Sequence, residues 1–146
     1  MKWVNHRITT FAAVAAYTHG DWLAASFAAA ASVLPDWLEF RLLPTASLRA
    51  KFHRTWSHWL LGYTVFAYVL SVLIVPDEYQ LAVNMVKWAV VGAAAHVIED
   101  IPCGSVAAVL PWHRVKLCPR LFKVGAVSEY VFTLMTVVTC GVIAFI

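Results

Sequence analysis

The stretch WSHWLLGYTVFAYVLSVLIV, at residues 56–75, contains twenty residues and no Asp, Glu, Lys or Arg. A helix of about 20 residues is about 30 Å long, which matches the hydrocarbon core of a bilayer. The polar sequence Pro76-Asp77-Glu78 follows directly and ends the run. Hydrophobic residues make up 62% of the chain and charged residues 13%, against roughly 45–50% and 25% in soluble domains. These features predict an integral membrane protein.

Two further apolar runs are also long enough to span a bilayer. Residues 81–98 are interrupted only by Lys87, and residues 124–146 contain one acid, Glu129. We therefore predict three spanning helices, at residues 56–75, 81–98 and 124–146.

The N-terminal third has two shorter apolar arms, at residues 8–17 and 22–34. The segment Thr18-His19-Gly20-Asp21 between them is polar and contains a glycine, which is typical of a turn. The pattern favours a tight helical hairpin over a pair of full spans. Residues 37–55 and 102–123 are the two long connections. The predicted fold is a single all-α integral membrane domain, residues 1–146, with about five helices.

Positive charge falls on one side of the membrane that this topology implies. The chain has eleven Lys and Arg residues, and only Lys87 lies away from the side of residue 1. The opposite loops carry Asp21, Asp77 and Glu78. By the positive-inside rule, the basic side faces the cytoplasm. The ten basic residues on it are Lys2, Arg7, Arg41, Arg49, Lys51, Arg54, Arg114, Lys116, Arg120 and Lys123.

Potential metal ligands lie on the same side. His96 and Asp100 are four residues apart, so they share one face of the second spanning helix. Imidazole and carboxylate groups are both good zinc ligands, and ionisable groups at membrane depth usually have a function. We therefore interpret His96 and Asp100 as metal ligands or catalytic groups.

Further candidates come from other parts of the chain. His53 and His58 are five residues apart, a rotation of about 140° on a helix, so both can face one centre only if the chain bends. Asp36 and Glu39 lie about one helical turn apart, and His6 precedes the first helix. The predicted metal ligands are His6, Asp36, His53, His58, His96 and Asp100.

These motifs resemble a known family. Taken in order, His6, Leu34-Pro35-Asp36, residues 53–58 (HRTWSH), His96-x-x-x-Asp100 and Leu110-Pro111-Trp112 are similar to the LexA-regulated inner-membrane metal-dependent hydrolase family. The resemblance covers nearly the whole chain. The resemblance implies one or two divalent ions, with zinc expected, and hydrolysis. The family is remotely similar to zinc-dependent phospholipase C enzymes.

The chain departs from the family pattern at several positions. Leu38 and Glu39 stand where the family has Asp and His, and Asn5 stands where it usually has Gly. The Thr that follows the family's HxxxD motif is missing. If two of these positions are ligands, the protein binds one metal fewer than its relatives, or none.

The resulting prediction is metal-assisted hydrolysis of a phospholipid or lipid-linked phosphoester at the cytoplasmic face. Zinc, or another divalent ion, would activate water. Glu39 or Glu129 would act as the general base or orient a histidine. Arg54 would bind phosphate together with other basic residues around the opening, namely Arg114, Lys116, Arg120 and Lys123.

A second interpretation is an inactive membrane scaffold or accessory subunit, with a structural metal or polar cluster. Small residues at 28–31 and 92–95 permit close helix packing, within one chain or in a homo-oligomer or membrane complex. A proton relay is disfavoured because the ionisable groups gather at one side. Lipid is the expected partner and solvent, and nucleic acid is not expected.

Overall fold

A computed structural model describes residues 1–118 and 120–144. This part of the chain is all-α, as predicted, and contains no extended strand beyond two isolated bridges. Short 3-10 turns occupy Trp56–His58 and Ile101–Cys103. The α-helices are α1 (Trp3–Tyr17), α2 (Trp22–Ala31), α3 (Leu34–Leu42), α4 (Ala46–Phe52), α5 (Leu60–Val72), α6 (Asp77–Asp100) and α7 (Val127–Ala144).

The predicted N-terminal hairpin is confirmed in α1 and α2. Gly20 has a φ of 96°, a left-handed conformation that glycine adopts without steric cost. The Asp21 carboxylate accepts a hydrogen bond from the Ala24 backbone N–H at 2.9 Å and caps α2. The glycine and the cap together explain why the chain reverses here.

Within the described residues, two helices are long and apolar enough to cross a membrane. They are Asp77–Cys103, which comprises α6 and the short turn after it, and α7. The exposed surface of α7 is apolar, with Leu134 at 61% and Met135 at 59% exposure. A surface of this kind is favourable in lipid and costly in water. The helix predicted at residues 124–146 begins at Val127 instead of residue 124. The last two residues of the predicted range lie outside the described part of the chain.

The predicted span at residues 56–75 needs correction. Its helix, α5, has only 13 residues, fewer than the roughly 20 that a perpendicular span needs. The backbone of Trp59 is extended. The backbone N–H of Leu60 donates a hydrogen bond to the Ala107 carbonyl, and that of Leu61 donates to the Ala108 carbonyl, each with a donor–acceptor distance of 3.0 Å. A distant loop thus replaces the first helical turn. At the other end, Pro76 disfavours helical geometry in the residue before it.

The predicted connection at residues 37–55 also needs correction, because most of it is helical. Pro35 occupies the first turn of α3, where its missing N–H costs nothing. The Thr45 hydroxyl accepts a hydrogen bond from Leu48 N at 3.2 Å and caps α4. Residues 102–123 are the irregular connection that was predicted, tied together by paired backbone hydrogen bonds between Val106 and Val115.

Small residues allow α2 and α6 to cross closely. Ala24, Ala25 and Ala28 are buried on α2, and Gly92 and Ala93 are buried on α6. A Cβ atom added at Gly92 would lie 2.0 Å from the carbonyl oxygen of Ala28. The two backbones therefore touch, a geometry that small residues make possible inside membranes. This contact fixes the position of α6, which carries His96 and Asp100 at its end.

We expect Gly92→Ala to destabilise the protein by about 1–3 kcal/mol, because backbone atoms have to move to admit the methyl group. Gly141→Ala is the matched control, since a Cβ added at Gly141 meets no described atom within 4 Å. Thermal or denaturant unfolding in detergent measures both. Equal stability of the two variants would show that the crossing is looser than described.

Candidate metal centre

Histidine and carboxylate side chains from four elements meet in one buried cluster. They are held where α1 begins and α6 ends, because α1 packs against α6. The three imidazoles in it are 0% exposed. The members are His6 on α1, Asp36 on α3, His58 in the 3-10 turn, and His96 and Asp100 on α6.

Three donor atoms, from Asp36, His58 and His96, lie close together, and a fourth, from Asp100, lies near two of them. His58 Nε2 and His96 Nε2 are 3.2 Å apart. Asp36 Oδ1 lies 3.4 and 3.6 Å from these two nitrogens, and Asp100 Oδ2 lies 3.7 and 3.8 Å from them. Donors about 2.0–2.1 Å from a tetrahedral zinc ion are about 3.3 Å apart. The separations therefore suit a metal ion with only small adjustments.

A second group shares two of these residues. His6 Nε2 lies 3.6 Å from the other carboxylate oxygen of Asp100, Oδ1. The His6 ring stacks on the His96 ring, with centroids 3.9 Å apart. His6, His96 and Asp100 each offer a ligand atom within 4.8 Å of the others. The Asp100 carboxylate thus lies between two candidate ion positions.

Two buried ring nitrogens lack a partner among residues 1–118 and 120–144. They are His6 Nε2 and His96 Nδ1. A buried polar atom without a hydrogen bond costs about 1–3 kcal/mol, so such atoms usually face a ligand, an ion or an ordered water. His6 Nε2 lies beside Asp100, where an ion would satisfy it. This observation supports the fit between the residues and a metal.

Glu39 orients two histidines from behind the cluster. Its Oε2 lies 2.7 Å from His53 Nδ1, and its Oε1 lies 3.1 Å from His58 Nδ1. Oε1 also accepts hydrogen bonds from the Arg54 backbone N–H and the Ser57 hydroxyl. A carboxylate on Nδ1 leaves the Nε2 lone pair of His58 directed into the cluster. Glu39 therefore occupies the orienting position that was one of its two predicted roles.

Glu99 orients the His6 ring in the same way that Glu39 orients the His58 ring. Glu99 was not among the site residues predicted from the sequence. Its Oε2 lies 2.6 Å from His6 Nδ1, and its Oε1 accepts from the Thr10 hydroxyl at 2.9 Å. The available signal was the spacing of His6 and Thr10, which are four residues apart and share a helix face. This spacing alone could not identify Glu99, because the sequence does not show that α1 packs beside the end of α6.

Hydrogen bonds keep the α3 carboxyl groups ionised. Burial raises the pKa of Glu39, but hydrogen bonds with His53, His58 and Ser57 outweigh it and lower the value to about 2. Burial likewise opposes ionisation of Asp36, yet hydrogen bonds with His58 and His96 hold its pKa well below the usual range. A carboxylate with so low a pKa is a weak proton acceptor near neutral pH. The orienting role of Glu39 is thus favoured over the general-base role.

The cluster has an excess of negative charge. Two cationic groups contact it, both at Asp100: the Arg54 guanidinium at 2.9 Å and the Met1 ammonium at 2.7 Å. They face four carboxylates, so the cluster is negative when its imidazoles are neutral, the form in which they bind metal, and a divalent ion would offset that charge. Buried charges are stable only when they are paired in this way. The carboxylates are those of Asp36, Glu39, Glu99 and Asp100.

His53 stands apart from the other predicted ligands. Its side chain is 46% exposed, and it belongs to a separate group with Asp36 and Glu39. The rings of His53 and His58 approach to 5.5 Å between centroids because the chain bends between them. Arg54 provides that bend, with a φ of 59°. Positive φ is uncommon for a residue with a side chain and often marks a functional segment.

Glu129 is held by a different set of contacts. Its carboxylate accepts hydrogen bonds from the backbone N–H groups of Lys2 and Gly125 and from the Asn5 side chain. These contacts tie the start of α7 to the start of α1. Asn5, which departs from the family pattern, is one of these donors. The predicted role of Glu129 as a general base stays a prediction, and the described groups of candidate ligands do not include it.

Comparison with known proteins places the chain in a family. The model of the family described as YdjM inner membrane protein matches residues 1–145. The chain belongs to this family. The YdjM description and the two long apolar helices together assign the protein to a membrane, as the composition predicted. No curated protein and no solved structure matches the chain.

We expect Glu39→Gln to weaken divalent-metal binding by about 10–100-fold, because the carboxylate that orients His58 is lost. Metal affinity is measured by competition with a coloured chelator in detergent.

Glu129→Gln is the matched control, since it makes the same change at a buried glutamate outside the candidate ligand groups. Its amide would face backbone donors, so we expect a lower unfolding temperature but nearly unchanged metal affinity. An affinity loss as large in Glu129→Gln as in Glu39→Gln would contradict the assignment of these roles.

Proposed function

We propose that the protein is a membrane-embedded, metal-dependent hydrolase that acts on a phospholipid or another lipid-linked phosphoester. The observation that carries the proposal is a buried cluster in which donor atoms of Asp36, His58 and His96 lie 3.2–3.6 Å from one another. A fourth donor, Asp100 Oδ2, lies 3.7 and 3.8 Å from the two imidazole nitrogens. Buried imidazoles and carboxylates arranged in this way are typical of metal centres.

Asp36, His58, His96 and Asp100 would hold the first ion, and zinc suits their mixture of nitrogen and oxygen donors. His6, with the second oxygen of Asp100, would contribute to a second ion. When bound, such an ion supplies a Lewis acid that polarises a phosphoryl oxygen and lowers the pKa of water. Glu39 and Glu99 keep the His58 and His6 rings in the tautomer that can bind metal.

An open cavity of about 370 Å³ leads to Asp36. The side chains of Trp3 and Phe40 give it apolar surface, and Arg49 and Arg114 give it positive charge. This combination suits an anionic group attached to an apolar chain, because arginine pairs well with phosphate oxygens. The lining therefore supports a lipid phosphoester over a small polar metabolite.

His53 and Arg54 have separate tasks in this proposal. His53 lines the cavity with Nδ1 against Glu39, so its imidazole can exchange a proton with substrate or leaving group. The Arg54 guanidinium, which pairs with Asp100, places positive charge beside the centre. Positive charge at that point stabilises the negative charge that develops on a phosphoryl group during hydrolysis.

The positive-inside rule places this site at the cytoplasmic face of the inner membrane, with the chain crossing several times. The start of α1, the end of α6 and the start of α7 lie together, as the contacts of His6 with Glu99 and of Lys2 with Glu129 demonstrate. The predicted topology requires these three ends to be on one side.

A structural metal site in a non-enzymatic scaffold is the second candidate function. The observation in its favour is that a fourth protein donor, Asp100 Oδ2, lies 3.7 and 3.8 Å from the two imidazole nitrogens, since zinc sites closed by four protein ligands are usually structural. A catalytic zinc site keeps one position for water or substrate. The two candidates agree on metal binding and differ on hydrolysis.

We expect detergent-purified protein to contain at least one divalent ion per chain, and His96→Ala to lose it, because His96 belongs to both ligand groups. Inductively coupled plasma mass spectrometry measures the stoichiometry. His113→Ala is the control, since His113 lies in the loop before α7 and outside the ligand groups. Unchanged metal content in His96→Ala would refute the proposed centre.

We further expect phosphate or phosphoalcohol release from phospholipids in mixed micelles, abolished by a chelator and restored by zinc. Asp36→Asn should reduce the rate by at least about 100-fold, because it removes a charged ligand. Arg41→Gln, an exposed change on the same side, should leave the rate unchanged. Metal-loaded wild-type protein that cleaves no lipid phosphoester would favour the scaffold instead.

A further inference from the structure

A second cavity, of about 390 Å³, is lined by Arg54 but not by Asp100. It lies between residues 53–54, the 3-10 turn after α6 and the loop before α7. The hydrolysis proposed above uses His53 and Arg54, but it gives no role to Arg120 or Lys123. The polar side chains of the lining are those of His53, Arg54, Ser105, Arg120 and Lys123.

The lining of this cavity is strongly basic. Arg54, Arg120 and Lys123 contribute three positive charges, and none of the described residues that line it is acidic. Asp100 offsets the charge of Arg54, but no acidic residue of the lining offsets Arg120 and Lys123, whose mutual repulsion a bound anion would reduce. The Ser105 hydroxyl adds a further hydrogen-bond donor. The lining therefore suits an oxyanion that carries more than one negative charge.

Arg54 is held in place from several directions. Its backbone N–H donates to Glu39 at 3.0 Å, and its Nη2 pairs with Asp100 at 2.9 Å. A Cβ atom at Gly104 would lie 2.8 Å from Arg54 Nη1, so the absence of a side chain there admits the guanidinium. Arg54 Nε is buried and has no hydrogen-bond partner among the described residues. The guanidinium is thus held in place, and its Nε–H remains available to donate a hydrogen bond to a ligand.

The basic loop is also anchored. Arg120 Nε donates to the Cys103 carbonyl at 2.9 Å, and Leu121 N donates to the Pro102 carbonyl at 2.9 Å. Cys118 Sγ contacts the Ile101 carbonyl at 3.5 Å. These bonds fasten the loop to the end of α6 and keep Arg120 beside Arg54. A site whose cations are held in position in this way loses less entropy when a ligand binds.

We propose that this basic cavity is a phosphate-binding site separate from the metal centre. The ligand is a phosphate group, either free or at the head of an anionic lipid. Phosphate binding at this cavity does not require the metal ion. The proposal therefore goes beyond the proposed hydrolysis and does not depend on it. Arg54 connects the two, since one edge of its guanidinium contacts Asp100 and the other faces the cavity.

The test is equilibrium dialysis of the full-length protein in detergent against labelled inorganic phosphate, with a chelator present. We expect saturable binding to the wild type. Lys123→Gln and the double variant Arg120→Gln/Lys123→Gln should weaken it, the double variant by at least about tenfold. Arg41→Gln is the matched control, because it removes an exposed cation that stacks on Trp37 outside the cavity. Circular dichroism checks that every variant is folded.

Two further arms identify the source of the phosphate and separate this proposal from the hydrolase. Displacement by short-chain phosphatidic acid, but not by phosphatidylcholine, would support a lipid headgroup, and displacement by neither would support free phosphate. Asp36→Ala should bind phosphate as the wild type does even if all hydrolysis proves absent. Absent binding in the wild type, or an equal loss in Arg41→Gln, would overturn the proposal.

Discussion

The burial of the Asp100 carboxylate is the constraint on which the rest of the site depends. Its side chain is 3% exposed at the end of a long apolar helix. A buried charge of this kind is too costly unless it is paired. Imidazoles, a guanidinium and an ammonium group gather around it, from the N-terminal segment and from the segment at residues 54–58. Pairing of this one carboxylate therefore joins α1, the bend at Arg54 and α6.

Packing in the apolar part of the bundle makes that convergence possible. The contact between Gly92 and Ala28 sets how closely α6 approaches the hairpin. The contacts of Glu129 then fix the start of α7 against α1. Apolar packing thus determines where the helix ends lie, and the polar cluster forms only because those ends coincide. The basic cavity depends on the same arrangement, since its loop is fastened to the end of α6.

Several features could be predicted from individual residues, and others could not. The turn at Gly20 and the shared face of His96 and Asp100 follow from local rules and were predicted. The short length of α5 was not, because a loop about 45 residues away supplies the carbonyls at its first turn. Glu99 was missed for a similar reason, since its partner His6 lies at the other end of the chain.

Composition and the lengths of the apolar runs are enough to predict an all-α membrane protein, because both are properties of the chain that do not depend on distances in space. The order of the residues further predicts that the basic residues, imidazoles and carboxylates lie on one side of the membrane. The meeting of Asp36, His58 and His96 beside Asp100, with Glu39 and Glu99 against the rings, could be seen only in the folded chain. The reason is physical: a ligand is defined by a separation of a few ångströms between atoms, and the chain sets such separations only when its helices pack.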